Sequence, residues 1–395
     1  MDLKDLKIAI VHDWLPLYGG AERVLEQMIK VLPQAQIYSL IDSVPENQRG
    51  FLQGRKVITS PVQHLPFGKT RYRAYFPLMP LFIEQFDLSS YDLVISSSYS
   101  FAKGAITGPH QLHLCYCHSP IRYAWDLQHQ YMTQSGFASG VRSWFIRAAL
   151  HYIRMWDVRT SNGVDQFAAN SSYVARRIEK VYQRPAEVIY PPISTEKFAI
   201  SRDREDYYVT VSRMVPYKRV DILLDAFAAM PNRKLTIIGS GPDLPALQKL
   251  APPNVTFLGH VPDDAVKKHL ETARAFIFAA EEDFGIVSVE AQACGTPVIA
   301  YSRGGSAETV VDRVTGIHFH QQTPNAVVAA VEQFERSTYD PDVIRAHSEQ
   351  FSSARFRREF SQWVTRSYLD FIVGQSDLGQ EPLVGPYRKP VLPSQ

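Results

Sequence analysis

The sequence predicts an α/β protein of two Rossmann-like domains, each built on a parallel sheet, with an interdomain cleft between the sheets. Three observations carry this. Short apolar runs alternate with segments of helical periodicity, the pattern of parallel strands joined by right-handed crossovers. The alternation occurs twice, on either side of Pro191-Pro192 and the polar stretch ISTEKFAISRDRED. The chain has 395 residues, enough for two domains of about 150 residues each.

In the first block, Lys7 to His12 (KIAIVH) has the composition of a buried strand. Gly19-Gly20 then breaks the chain. Apolar residues at Ala21, Val24, Leu25, Met28, Ile29 and Leu32 predict an amphipathic helix. Further strands are predicted at Tyr91–Ser96, Leu112–Tyr116, Gln166–Ala169 and Glu187–Tyr190, with helices over Val141–Asp157 and Tyr173–Tyr182. In the second block strands are predicted at Tyr207–Ser212, Lys234–Ile238, Val255–Leu258, Ala275–Phe278 and Pro297–Tyr301. Helices lie between them at Arg219–Met230, Leu244–Leu250, Ala265–Ala273 and Gly285–Cys294. Helical patterns follow at Pro324–Ser337 and Arg355–Val373. The expected domains are 1–195 and 196–352, then a helix over 353–375 returning toward the first domain, then a disordered tail over 376–395 rich in Pro, Gly and polar residues.

Composition narrows the function. Lys+Arg is 42 against Asp+Glu 40, which argues against a nucleic-acid partner, whose footprint is a strong basic excess. Three cysteines predict reduced thiols and a cytoplasmic setting. No signal peptide is expected at Met1-Asp2-Leu3-Lys4-Asp5, and no run reaches the roughly 18 apolar residues of a membrane span.

The strongest chemical signal is EEDFGIVSVEA, with Glu282 in a loop after a strand and Glu290 in the second turn of a helix. Helical side chains lean toward the N-terminus, so the Glu290 carboxylate points back toward Glu282. The amides of Gly285, Ile286 and Val287 point the same way and favour an anion. Gly285, next to Phe284, lets backbone approach a ligand closely. Such an end combines a phosphate seat with two carboxylates able to grip sugar hydroxyls. Next comes SRMVPYKR, which places Arg213 and Lys218 at the end of a strand. Two cations there can clamp a diphosphate and stabilise its charge as it departs. Gly19-Gly20 can cradle phosphate at a helix N-terminus or form a plain tight turn. It lacks the G-x-G-x-x-G pattern of a dehydrogenase.

CHSPIRYAWD places His118 where a strand opens toward the cleft. It can bond a sugar hydroxyl or present its backbone carbonyl to a cationic centre. His113, Cys115 and Cys117 share one strand face, but no second ligand cluster stands at zinc spacing, so buried core cysteines are favoured over a metal. The only D-x-D, Asp340-Pro341-Asp342, fits a helix N-cap followed by Pro in the first turn. No metal or other cofactor is therefore expected.

In order and content these motifs resemble glycosyltransferase family 4, the group 1 retaining glycosyltransferases of the GT-B fold. The resemblance runs from GGAERV to the helix near Arg355 and rests on the E-x7-E pair, the R-x4-K pair and GTPVIAYSRGGSAETV. It implies that Glu290 binds the donor ribose and Glu282 the transferred sugar. It implies Arg213 and Lys218 at the diphosphate, Gly20 at the donor phosphate or the acceptor side, and His118 near the anomeric centre. EEDFGIVSVEAQACGTPVIA and YCHSPIRYAWDL look most like bacterial mannosyltransferases of polysaccharide assembly, which use GDP-mannose and often a polyprenyl-linked acceptor. Ser288 departs from a proline frequent in that subgroup. The implied reaction retains anomeric configuration through an oxocarbenium-like state, the leaving phosphate helping to deprotonate the acceptor. The alternatives are a UDP-sugar donor on the same fold, a nucleotide-sugar epimerase, a glucan synthase, or a nucleotide-sugar-binding protein without turnover.

Phe67–Phe86 interleaves Lys69, Arg71 and Arg73 with aromatics, and Val141–Asp157 adds Arg142, Arg147 and Arg154 to an apolar helix pattern. Such segments either lie on an anionic membrane surface or pack between domains with snorkelling arginines. The first alternative predicts peripheral docking at the inner face of the plasma membrane.

Overall fold

A computed structural model describes residues 3–134 and 139–377. The chain divides into two compact units. The first contains Met1–Asn170, Val174–Ile189 and the segment from Phe356; the second contains Ser171–Tyr173 and Tyr190–Arg355.

The first unit holds β1 (Ile8–His12), β2 (Gln36–Ser39), β3 (Val57–Thr59), β4 (Leu93–Ser98), β5 (Leu112–Cys117), β6 (Gln166–Ala169) and β7 (Ala186–Val188). They form one parallel sheet in the order β3-β2-β1-β4-β5-β6-β7. Every residue of β1, β4 and β5 is buried, which is why IAIVH and LHLCYC read as runs without polar alternation. Val24, Leu25, Met28 and Ile29 of the helix Gly20–Val31 pack on one face. Phe356, Phe360, Trp363 and Val364 of the helix Ser353–Asp377 join the same core. Trp14, Phe101, Ile153 and Trp156 cover the other face.

The second unit holds β8 (Glu205–Val211), β9 (Leu235–Ile238), β10 (Val255–Gly259), β11 (Ala273–Phe278), β12 (Val298–Tyr301) and β13 (Gly316–Phe319). These too are all parallel, ordered β10-β9-β8-β11-β12-β13. The helix Val220–Ala228 packs Leu223 and Phe227 on one face, and the helix Ile286–Ala293 packs Ala291 on the other.

In each sheet the chain winds outward in one direction and then in the other. The reversal falls between β1 and β4 in the first unit and between β8 and β11 in the second. Crevices at the carboxyl ends of such strands are where open α/β sheets bind ligands.

Several boundaries differ from expectation. The break between units falls at Tyr190, not after 195, and the second unit ends at Arg355. The polar stretch after Pro191-Pro192, read from sequence as the interdomain linker, is packed at its start. Ile193 is buried and bridges Ser352, and the Thr195 hydroxyl donates to Glu349 Oε2 at 2.9 Å. The strand expected at Glu187–Tyr190 is Ala186–Val188. Strands β2, β3 and β13 were not expected from the sequence. Arg219 does not begin a helix. It lies in the left-handed region (φ 54°) between the 3-10 turn Pro216–Lys218 and the helix from Val220. The last helix runs through Asp377, so 376 and 377 are helical, and the rest of the expected tail lies outside the described residues.

Candidate active site

In the second unit, β8 and β11 are paired neighbours. Their carboxyl ends deliver Ser212–Arg219 and Ala279–Gly285 to one edge of the sheet. Lys218 and Glu282 meet there as an ion pair. The Lys218 ammonium also lies 5.7 Å from the centre of the Phe278 ring and 5.5 Å from that of Tyr217. Arg213, four residues before Tyr217, is exposed, and no carboxylate pairs with it among the described residues. The two expected diphosphate cations therefore differ: Lys218 is paired with Glu282, and Arg213 is exposed.

Glycines set the backbone around this pair. The Gly305 amide donates to Glu282 O at 2.7 Å, and Glu282 bridges Gly304. A Cβ on Gly304 would stand 2.3 Å from Glu282 O, and one on Gly305 2.2 Å from Phe284 Cα. The Ser212–Met214 backbone is seated in the same way. A Cβ on Gly239 would meet Ser212 O at 1.9 Å. Gly239 and Gly241 were not singled out from sequence, where a glycine after a strand is ambiguous.

Gly285 caps the helix Ile286–Ala293 with φ 86°, a conformation that favours glycine. Ile286 and Val287 occupy its first two positions, whose amides lack intrahelical acceptors. Both are half-buried. Glu290 follows in the second turn and is buried. Phe284 differs from its neighbours: its ring packs against Phe351 and Tyr190 in a small core with Ile193 and Val289. Only its backbone faces the loop chemistry. Ser288 is fully buried on this helix.

In the first unit, His118 directly follows β5 and is buried. Its Nε2 lies 2.9 Å from Ser97 Oγ, and the same hydroxyl lies 3.1 Å from His12 Nδ1. His12 Nε2 is buried 3.5 Å from Glu22 Oε1. Burial, reinforced by the neighbouring His12, lowers the His118 pKa to about 3, so its imidazole is neutral. Tyr99 and Tyr116 pack edge-on against it. Tyr99 is itself held by Asp13, whose carboxylate accepts four backbone N–H bonds, from Tyr99, Ser100, Phe101 and Ala102, at 2.5–2.9 Å. His12, Asp13 and Ser97 were not singled out from sequence. The available signal was polar residues (His12, Ser96-Ser97-Ser98) inside runs that are otherwise fully buried.

Gly19 caps the helix Gly20–Val31, and its amide donates to Glu22 Oε2 at 3.0 Å. A carboxylate thus already occupies this helix end and would repel a phosphate placed beside it.

His113 is not exposed for ligation. Its Nε2 meets Ser96 Oγ at 3.0 Å and its Nδ1 meets Gly163 O at 3.1 Å. Cys115, Cys117 and Cys294 are buried free thiols. Among the described residues no three His, Cys, Asp or Glu side chains form a group able to hold a metal. Asp340 is an N-cap, its Oδ1 accepting from the Asp342 amide at 2.8 Å.

Comparison with known proteins agrees with this architecture. Residues 18–197 match the family model described as Glycosyltransferase Family 4, and residues 193–351 match Glycosyl transferases group 1. The chain belongs to the family 4, group 1 glycosyltransferases. Among curated glycosyltransferases it is 31% identical over 204 residues to a GDP-mannose-dependent alpha-(1-6)-phosphatidylinositol monomannoside mannosyltransferase of Mycolicibacterium smegmatis, covering 44% of this chain and 53% of that protein. It is 33% identical over 178 residues to a D-inositol 3-phosphate glycosyltransferase of Mycobacteroides abscessus, covering 40% and 39%. The chain spans about half the length, or less, of the curated relatives it matches. Among solved glycosyltransferase structures, Anabaena HepE in complex with UDP superposes with a TM-score of 0.66 at 17% identity, over 91% of this chain and 100% of that one. The sucrose-phosphate synthase of Thermosynechococcus elongatus gives 0.69 at 16%, over 92% and 100%. These likenesses establish the GT-B fold.

Proposed function

We propose that this glycosyltransferase moves a hexose, mannose from GDP-mannose, onto a lipid-linked or polysaccharide acceptor, with retention and without a metal ion. The observation that carries the reading is the meeting of Lys218 and Glu282 at the carboxyl ends of β8 and β11. They are followed directly by a helix whose first amides belong to Ile286 and Val287 and whose second turn bears Glu290.

The second unit grips the donor. The diphosphate lies against Arg213, Lys218 and the helix amides, whose fixed charges are already oriented when the leaving group develops its own. Glu282 bonds the hexose hydroxyls and Glu290 the ribose. His118 of the first unit serves the sugar as a neutral hydrogen-bonding imidazole. Glu22, already seated at the Gly19 amide, supports an acceptor-side role for Gly19-Gly20 over a donor-phosphate role. The departing phosphate accepts the acceptor's proton, so no side-chain nucleophile is required.

The first unit also carries a surface suited to a lipid-linked acceptor. Val141, Trp144, Phe145, Tyr152 and Met155 of the helix Val141–Ser161 are exposed, as are Phe67, Leu78 and Leu81. Arg71 lies 5.4 Å from the centre of the Phe67 ring. Aromatic and aliphatic groups left in water among arginines support peripheral docking on an anionic inner leaflet. No helix among the described residues is long and apolar enough to cross a membrane.

A thermal-shift series with GDP-mannose, UDP-glucose, GDP and UDP tests the donor, since a ligand of the native state raises its melting temperature. GDP-mannose is expected to stabilise most. A larger shift with UDP-glucose would replace it with a UDP-sugar. Donor consumption without an acceptor, yielding an isomerised nucleotide sugar, would favour an epimerase.

A further inference from the structure

Glu22, His12, Ser97 and His118 line up inside the first unit, hydrogen-bonded from His12 to His118, while His12 Nε2 makes no hydrogen bond among the described residues and faces the Glu22 carboxylate through space. The contacts are Glu22 Oε1 to His12 Nε2 at 3.5 Å, His12 Nδ1 to Ser97 Oγ at 3.1 Å, and Ser97 Oγ to His118 Nε2 at 2.9 Å. All four side chains are buried. A hydroxyl has one proton, so Ser97 can donate to only one imidazole, and where it does so it must accept from the other. The file therefore has a direction, and one end determines it.

Glu22 is that end. Its Oε2 accepts from the Gly19 amide at 3.0 Å, which pins the carboxylate with Oε1 toward His12. A bare nitrogen facing a carboxylate in a dry interior is repulsive; an N–H facing it is attractive. When His12 carries a single proton, that proton therefore lies on Nε2 and Nδ1 accepts. Ser97 then donates to His12 and accepts from His118, whose Nε2 must bear the proton.

We infer that Glu22, acting through His12 and Ser97, holds His118 as the Nε2–H tautomer, so that His118 Nδ1 offers a lone pair to a hydroxyl of the sugar. Glu22, His12 and Ser97 are positioning residues for His118. The assignment of the hydroxyl rests on the functional reading above; the tautomer does not. The Tyr99 ring, packed against both imidazoles, keeps them in this register.

Nitrogen NMR of the full chain labelled with 15N-histidine tests it, with peaks assigned by their loss in His118→Gln and His12→Gln. Wild-type His118 is expected to show a protonated Nε2 and an unprotonated Nδ1, and His12 the same pattern. In Glu22→Gln the Gly19 amide retains the side-chain oxygen, so the amide NH2 faces His12 Nε2. The file then reverses, and His118 becomes the Nδ1–H tautomer. In Ser97→Ala the link is cut and His118 shows both tautomers. An Nδ1–H His118 in the wild type, a doubly protonated His12, or a tautomer indifferent to both substitutions overturns the inference. Kinetically, Ser97→Ala lowers kcat about tenfold, the scale of one lost hydrogen bond. KM for the donor is unchanged, and Ser97→Thr restores the rate. An equal rise in KM would overturn the positioning role. No transfer by the wild type, with the tautomer as stated, would overturn the functional reading and leave the file intact.

Discussion

Lys218 and Glu282 are bound to each other across two adjacent strand ends, β8 and β11, with both side chains mostly shielded from water. Neither residue lies in a regular strand or α-helix. The pair exists because the sheet reverses its winding between these strands.

Removing either partner is expected to abolish transfer more than it harms the fold. Lys218→Ala and Glu282→Ala should each lower kcat/KM by at least about a hundredfold, the usual effect of deleting a charge-stabilising group. Melting temperatures should stay within a few degrees of wild type. Steady-state donor turnover and a melting curve check both. Wild-type turnover in either variant would contradict the assigned roles.

Lys103 and Asp157 show the opposite balance. They pair at 2.7 Å with both side chains buried, and Asp157 also accepts from Trp125 Nε1 at 2.7 Å and from the Tyr182 hydroxyl at 3.0 Å. Lys103→Met removes the buried cation that pairs with the Asp157 carboxylate. It should cost about 3–5 kcal/mol of stability, measured by urea unfolding, while donor affinity of the folded fraction is retained.

Gly305→Ala should uncouple the Glu282 loop. The new Cβ would meet Phe284 Cα at 2.2 Å, so backbone must move. Donor affinity, measured by calorimetry, should fall, with a loss of stability exceeding about 1 kcal/mol. An unchanged donor affinity would show that the loop tolerates the shift.

Stability should fall as the solution is acidified below pH 6.5. Burial lowers the His113 pKa to about 4 and that of His118 to about 3, from ordinary values near 6.5. Between those values and 6.5 the unfolded chain binds protons that the folded chain refuses. Each histidine then contributes a slope of about 1.4 kcal/mol per pH unit, with stability rising with pH. His113→Gln should flatten the slope of unfolding free energy between pH 6 and pH 4.5. An identical slope would mean that His113 is charged in the folded state.

Trp144→Ala with Phe145→Ala should weaken cosedimentation with anionic liposomes at low salt, while melting temperature is unchanged, because both side chains are exposed. No binding by the wild type would remove the docking proposal.

The strand–helix alternation, the placement of the E-x7-E segment at a helix start and the N-cap at Asp340 were all legible in the sequence. Each depends on local periodicity or on a residue's own backbone preference. The glycines at 304 and 305 were visible as a turn, but their close approach to Glu282 and Phe284 was not. Likewise, the burial of the Phe284 ring, the pairing of Lys218 with Glu282 and the file from Glu22 to His118 depend on which strands become neighbours. That is a property of chain crossovers, not of spacing along the chain. Apolar periodicity determined two parallel α/β units, because burial of a strand or helix face is a local demand on sequence. Only the tertiary structure determined which charges and imidazoles meet, because a hydrogen bond or ion pair acts over a few ångströms between residues brought together by the winding of the sheet.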